Sequence, residues 1–265
     1  MSGKRNANKS TMPGGLAARL IARLGRLIIR RLSVLARESL KEPGSWRCLE
    51  LVYRNEPQTL LDRFFLSSRP ARGARSRLRV LQSETCRCIR QSSLIHNPVR
   101  LISLGSGPGH EVLGCLARFR GNMAVEATCL DRDPGALEHG RVLSAQRGLS
   151  NHIAYVQGNV LHVNPLVPRY DIAILSGLID YFDFEAAVSV LKTVGEQLLP
   201  GGIVLIANMR RHHLASTMSI LGSWNLVYRE PEEVEGILAA SGYEQIQVWL
   251  EPEQVFCIGK ARKPG

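Results

Sequence analysis

No run of about 18 apolar residues occurs in this chain, and that length is what a helix needs to cross a bilayer. Acidic residues are nearly missing from its beginning: residues 1–47 hold 2 Asp/Glu against 11 Lys/Arg. Arginines interrupt the apolar positions there every three or four residues, so the unbroken core of a secretory signal does not form. An acid-poor, Arg-rich start also resembles a mitochondrial transit peptide. Zinc spacing is absent as well. Cys48, Cys86, Cys88, Cys115, Cys129 and Cys257 are scattered, and the Cys86–Cys88 pair has no second pair to complete a site. No metal is therefore expected, and the thiols read as reduced, in a cytoplasmic protein. No serine or cysteine triad signature and no internal repeat is found, and low complexity is confined to the first fifteen residues.

What is present is unevenly distributed. The net charge of +11 comes from +9 over residues 1–47 and +6 over residues 48–100, which carry 10 Lys/Arg against 4 Asp/Glu. Residues 101–265 carry 13 against 17, a balance of −4. The basicity is thus remote from the glycine-rich part, and no nucleic-acid partner is expected there. Residues 1–15 read as a disordered basic tail. Residues 16–97 read as a helical N-terminal region, with an amphipathic helix over 16–40 and cap helices over 46–95 broken at "SRPARG". The first helix has two readings. Either its arginines face anionic headgroups at the inner membrane surface, or its leucines pack on the domain and its arginines face water.

From residue 98 to 265 strand and helix signals alternate. Strands are predicted at 100–104, 125–130, 153–157, 171–175, 202–207, 245–250 and 255–260. Helices are predicted at 109–119, 134–147, 184–198 and 231–241, with irregular helix near 212–222. Alternation of this kind predicts an α/β fold with a mostly parallel sheet covered on both faces. The "EPEQ" link between the last two strands is too short for a crossover, so they should pair antiparallel.

The densest signal is "VRLISLGSGPGHEV", residues 99–112. Gly105 suits a tight turn, Gly107 a close approach to a ligand, and Gly109 close helix–strand contact. Free N–H groups at the helix start favour an anion, although a dinucleotide-binding loop has the same appearance. Further along, "VEATCLDRDP" ends a strand at Asp131, suited to ribose hydroxyls, while Asp133 before Pro134 suits a helix cap. "AYVQGNVLH" offers Asn159 and Val160 at the end of a third strand. "YDIAILSGLIDYFD" opens at Ser176 onto a polar, aromatic loop, and "LLPGGIVLIAN" supplies a turn and a buried strand.

This ordered set resembles the class I S-adenosylmethionine-dependent methyltransferases, whose fold is a Rossmann-like seven-stranded sheet with an antiparallel last strand. The resemblance implies S-adenosyl-L-methionine as cofactor. It places Gly105, Ser106, Gly107 and Gly109 against the methionine part, with Ser176 beside it, Asp131 at the ribose, and Asn159 with Val160 at the adenine. Two positions depart from the pattern: Ser103 stands where the family usually has an acidic residue, and Asn159 where it often has Asp. "YRNEPQTLLDRFF" (53–65), "GLIDYFDFEAA" (177–187) and "SWNLVYREPEEVEGILAASGY" (223–243) are similar to a bacterial subgroup that includes 3-hydroxy fatty acid methyl ester synthases. Tyr53 and Asp62 of the first segment would then close over the cofactor.

The acceptor side draws on Asp180, Tyr181 and Asp183, on Asn208, Arg210, Arg211, His212 and His213, and on Trp224, Tyr228 and Arg229. Asp180, Tyr181 and His212 are the catalytic candidates; Asp183 doubles as a helix cap, and Arg229 as the start of a helix. The expected reaction is methyl transfer to a small acidic or lipid-like metabolite, by in-line displacement. The alternatives are an RNA or protein methyltransferase guided by the basic N-terminal region, a cofactor-binding protein without catalysis, and aminocarboxypropyl transfer from the same cofactor. The Asn/Asp-Pro-Pro-aromatic tetrapeptide of many nucleic-acid methylases is absent.

Overall fold

A computed structural model describes residues 29–119, 124–162, 169–211 and 226–265. Four helices come first: α1 (Val34–Lys41), α2 (Trp46–Arg54), α3 (Leu60–Leu66) and α4 (Arg69–Ser92). The α/β part follows as β1 (Val99–Leu104), α5 (His110–Leu116), β2 (Val125–Asp131), α6 (Pro134–Gln146), β3 (Ile153–Gln157), β4 (Tyr170–Ser176), α7 (Phe184–Gln197), β5 (Leu198–Met209), α8 (Pro231–Ala240), β6 (Glu244–Leu250) and β7 (Phe256–Arg262). All seven predicted strands are present. So are the four predicted helices of this part, each ending within three residues of its expected limits. The irregular helix near 212–222 lies outside the described residues.

The sheet has the order β3-β2-β1-β4-β5-β7-β6. β7 runs antiparallel to both β5 and β6, and the other pairings are parallel. The central strands are apolar on both sides because both sides are covered. In β4, Ile172 and Ile174 join a core shared with α4 and α5 residues such as Leu81, Ile89 and Leu113. The alternate Ala173 and Leu175 join a second core with Val190, Leu191, Ile237 and Leu238 of α7 and α8. A period of two thus gives one strand to two layers.

The N-terminal helices differ from expectation in two places. The break falls at the very start of "SRPARG", at Ser67–Ser68, and Pro70 already occupies the first turn of α4, where its missing N–H costs nothing; that helix runs for 24 residues. The predicted continuous helix over 16–40 is interrupted at Ser33, whose backbone is extended. Ser33 Oγ accepts the Ala36 N–H at 2.9 Å and donates to Asp62 Oδ1 at 2.6 Å. Those bonds start a new helix, and Leu35 and Ala36 are buried beneath it. The packing alternative therefore holds for residues 34–41, while residues 1–28 lie outside the described residues. Among the described residues no helix is long and apolar enough to cross a membrane.

Candidate functional site

The carboxyl ends of β1, β2 and β4 open into one cavity of about 560 Å³, a size typical of small-molecule sites. Its floor is the glycine turn. Gly105, Gly107 and Gly109 have φ of 62°, 53° and 78°, in the left-handed region that other residues avoid. At Gly109 the reason is contact as well as conformation, since a Cβ there would sit 2.7 Å from Cys129 Sγ. That residue begins α5 and brings the helix down onto β2. At Gly107 a Cβ would meet Trp46 Cβ in ordinary contact at 3.6 Å, so there it is the backbone conformation that calls for glycine. Asp131 anchors the turn: its Oδ2 accepts the Gly107 N–H at 2.7 Å and its Oδ1 the Asp133 N–H at 2.9 Å. Asp133 caps α6 by accepting from Gly135 N at 2.7 Å, as its place before Pro134 predicts.

Asn159 and Val160 line the same cavity beyond Asp131, and Ser106 and Ser176 line its floor. Asn159 Oδ1 accepts the Leu161 N–H at 3.1 Å, which fixes the amide. Ser106 N donates to Leu130 O at 3.1 Å and ties the turn to β2.

At the opposite end stands Asp180, in a short helical turn (Ile179–Tyr181) after β4. Its side chain is buried and its Oδ1 accepts the Met209 N–H at 2.8 Å. Burial pushes the Asp180 carboxyl up to about 6, against the Met209 hydrogen bond and the charges of Arg77 and Arg229. Tyr181 lines the mouth and is half exposed. Met209, Phe182 and Phe256 make this end apolar.

The roof is α2, folded back over the glycine turn. Trp46 Nε1 donates to Asp133 Oδ2 at 2.9 Å, and its ring stacks on His139 with centroids 4.9 Å apart. Glu50 holds α2 to α5 and α6: His110 Nε2 lies 2.6 Å and His139 Nε2 3.4 Å from its Oε2, and Arg54 Nε 2.7 Å from its Oε1. Burial alone would raise the Glu50 pKa, but the His110 and Arg54 contacts bring it down to about 2.

Several expectations change. Asp62 does not line the cavity; it is buried elsewhere, bracing Ser33 and Leu35. Asp183 caps α7 through the Ala186 N–H at 2.9 Å. Arg229 does not merely start a helix: it is buried and donates to Ile179 O, Asn208 Oδ1 and Phe182 O, fastening the loop that carries Asp180. Glu230 caps α8 instead, in a capping box with Glu233. Arg210 reaches Glu230 at 2.6 Å, and neither it nor Arg211 lines the cavity. His212, His213 and Trp224 lie outside the described residues.

Sequence reasoning missed a number of cavity residues, among them Trp46, Arg77, Glu111 and Phe256. Arg77 had a signal, because it shares an α4 face with Ala74, Leu81 and Cys88, all buried. A charged residue inside an apolar stripe asks for a partner. Glu111 had one too. Its Oε1 accepts from Ser103 Oγ at 3.0 Å, so a carboxylate from α5 stands beside the position that lacks one.

Comparison with known families gives one match: a family described as "Putative methyltransferase" covers residues 41–263. No curated protein matches the chain. Among solved structures, a possible exported protein from Bordetella parapertussis is similar with a TM-score of 0.76 and 19% identity, over 96% of this chain and 90% of that one. The S-adenosylmethionine-dependent methyltransferase SibL in its apo form gives 0.60 and 16%, over 94% and 77%. Magnesium protoporphyrin IX methyltransferase from Synechocystis PCC 6803 with bound SAH gives 0.59 and 9%, over 90% and 99%. At these identities the likeness is one of fold.

Proposed function

We propose, from the premise that the chain belongs to the methyltransferase family matched over residues 41–263, that it transfers a methyl group from S-adenosyl-L-methionine to a small acidic or lipid-like metabolite. The observation that carries this reading is the single cavity with two unlike ends. One end is lined by the glycine turn, Asp131 and the Asn159 amide; the other is a buried carboxyl among apolar side chains.

The residues fit the cofactor. Gly107 lines the cavity with a φ of 53°, a conformation only glycine adopts freely, so backbone rather than a side chain faces a ligand there. Each Asp131 oxygen spends one lone pair on the loop backbone and keeps another for a ribose hydroxyl. Val160 supplies an apolar face for adenine, and Asn159 a polar edge. Gly105, Ser106 and Ser176 line the floor under the methionine part, while Gly109 lies outside the lining and sets α5 against β2. When bound, the cofactor supplies a methyl group already activated by the sulfonium.

The chain's own task is then alignment and dryness. Trp46 and Tyr53 of α2 shut the cavity against water. Burial raises the Asp180 pKa to about 6, closer to the working range of a general base than a free carboxylate is. A hydroxyl acceptor gives its proton to the Asp180 carboxylate as its oxygen takes the methyl group, whereas a carboxylate acceptor needs no base and makes no use of Asp180. Tyr181 borders the entrance where the acceptor arrives. Met209, Phe182 and Phe256 favour an acceptor with an acyl or other apolar body. O- or carboxyl methylation is the reaction these groups suit. The acyl esters of the bacterial quorum-signal subgroup belong to the same reading. So does a cytoplasmic setting, which six free buried thiols support.

The test is incubation of the purified enzyme with a metabolite extract and methyl-labelled cofactor, followed by mass spectrometry. The expected result is one metabolite heavier by one labelled methyl group, with S-adenosylhomocysteine as coproduct. Label in RNA or protein, or methylthioadenosine as coproduct, would overturn it.

A further inference from the structure

Arg77 is a buried cation without a salt bridge, its charge favoured by Asp180 and Glu111 from beyond ion-pair distance. It rises from α4 into the cavity, with only 5% of its surface exposed. No carboxylate among the described residues lies within ion-pair distance of it. Its Nη2 donates to the Tyr53 hydroxyl at 2.9 Å, its guanidinium lies 4.6 Å above the Phe256 ring, and its buried Nε has no partner. A buried guanidinium with an unused donor that lines a cavity is suited to an anion entering that cavity. Its Nη1 comes within 2.7 Å of where a Cβ of Gly177 would stand, so it reaches the β4 end of the glycine turn.

Glu111 is the complementary case. It is also buried, lines the same cavity, and uses Oε1 for the Ser103 hydroxyl. No donor among the described residues takes its Oε2. A buried cation and a buried anion thus line the same cavity as Gly105. Two such groups, held apart rather than paired with each other, are complementary to a zwitterion.

We propose that Arg77 and Glu111 form a clamp for the α-amino acid end of the cofactor, Arg77 with Tyr53 taking the carboxylate and Glu111 the ammonium group. The inference rests on the reading of the cavity as a cofactor site and deepens it. It makes the helical N-terminal region part of the binding site, because Tyr53 comes from α2 and Arg77 from α4. It also explains how the chain does without an acidic residue at position 103: the carboxylate comes from α5, one turn past the glycines, and Ser103 holds it in place.

Calorimetry with two ligands tests this. S-adenosylhomocysteine carries the amino acid end, while methylthioadenosine keeps the adenosyl and sulfur parts and lacks it. The wild-type protein is expected to bind the first more tightly than the second. Arg77→Met should weaken S-adenosylhomocysteine by about 30-fold or more, and Glu111→Gln by about tenfold or more. Neither should change methylthioadenosine binding beyond about twofold, and that unchanged binding also reports that the variants fold. Arg77→Lys, which keeps the charge and loses the fork, should fall between. Unchanged S-adenosylhomocysteine affinity in Arg77→Met overturns the clamp and moves that cation to the acceptor's carboxylate. Equal loss of both ligands overturns it in favour of a structural role. Failure of the wild-type protein to bind either ligand overturns the cofactor reading itself, a different result from the other two.

Discussion

The floor and the roof of the cavity are built in opposite ways. The floor is mostly backbone: three glycines in the left-handed region, donors pinned by one carboxylate, and a helix start, all within a few residues of strand ends. The roof is mostly side chain. Trp46, Tyr53, Glu50 and Arg77 come from two helices that precede the sheet, and they reach it through rings, ion pairs and a buried guanidinium. The floor is rigid because substitution there strains the chain. The roof is held by contacts that can be weakened one at a time, so floor changes should cost both folding and binding, and roof changes chiefly binding.

The largest effect is expected at neither, but at the acceptor end. Asp180→Asn should lower kcat by about 10²–10⁴-fold, as for loss of a positioned base, and leave cofactor affinity intact. Its effect on stability has a defined sign. The folded-state pKa is raised from 3.8 to about 6, so the folded protein binds the proton more tightly than the unfolded chain does. Stability from this group is fullest below the unfolded value and declines as pH rises through about 6. Asp180→Asn should therefore melt no lower than wild type at pH 8, and wild-type turnover should fall as pH drops below about 6. Turnover and melting curves across pH 5–8 check both; a large loss of Tm at pH 8 would assign Asp180 to the structure.

Next comes the floor itself. Gly109→Ala combines a φ of 78° with a Cβ 2.7 Å from Cys129 Sγ. It should cost about 1–3 kcal/mol of stability and weaken cofactor binding with it. Gly148→Ala is the matched control: its φ is 63° but nothing lies within 4 Å, so it should cost about 1 kcal/mol and leave binding alone. Equal losses in the two would show that contact with β2 contributes nothing.

Smaller again is the roof's fastening. Glu50→Gln removes the charge that faces His110, His139 and Arg54. Hydrogen exchange should quicken over residues 46–54 and stay unchanged over 101–104. The Glu50 contribution is present above the usual carboxylate range and is lost only as pH falls through about 2, so the contrast should persist at pH 5 and pH 8. The smallest effect belongs to Trp46→Phe, which keeps a ring and removes the 2.9 Å bond to Asp133. About 1 kcal/mol or less of stability should go, because the Asp133 cap on α6 remains.

The same contrast explains what the sequence could disclose. The central strands β1, β4, β5 and β7 were legible because burial on two faces demands apolar runs, and the floor because positive φ demands glycine at fixed offsets. Asp131 and Asp133 were separable since only the latter precedes Pro134. The roof was not legible, for its geometry depends on where α2 lands. Nothing local to Trp46 predicts Asp133 as its partner, 87 residues away. Arg229 resisted for the same reason: its three acceptors lie on segments 21 to 50 residues distant. Pro70 misled because proline both stops helices and starts them, and only the position of the turn decides which.

The most direct test of the account is equilibrium dialysis of the purified full chain against radiolabelled S-adenosylmethionine. Saturable uptake of one equivalent per chain, displaced by S-adenosylhomocysteine, is the predicted result. No saturable uptake would contradict it.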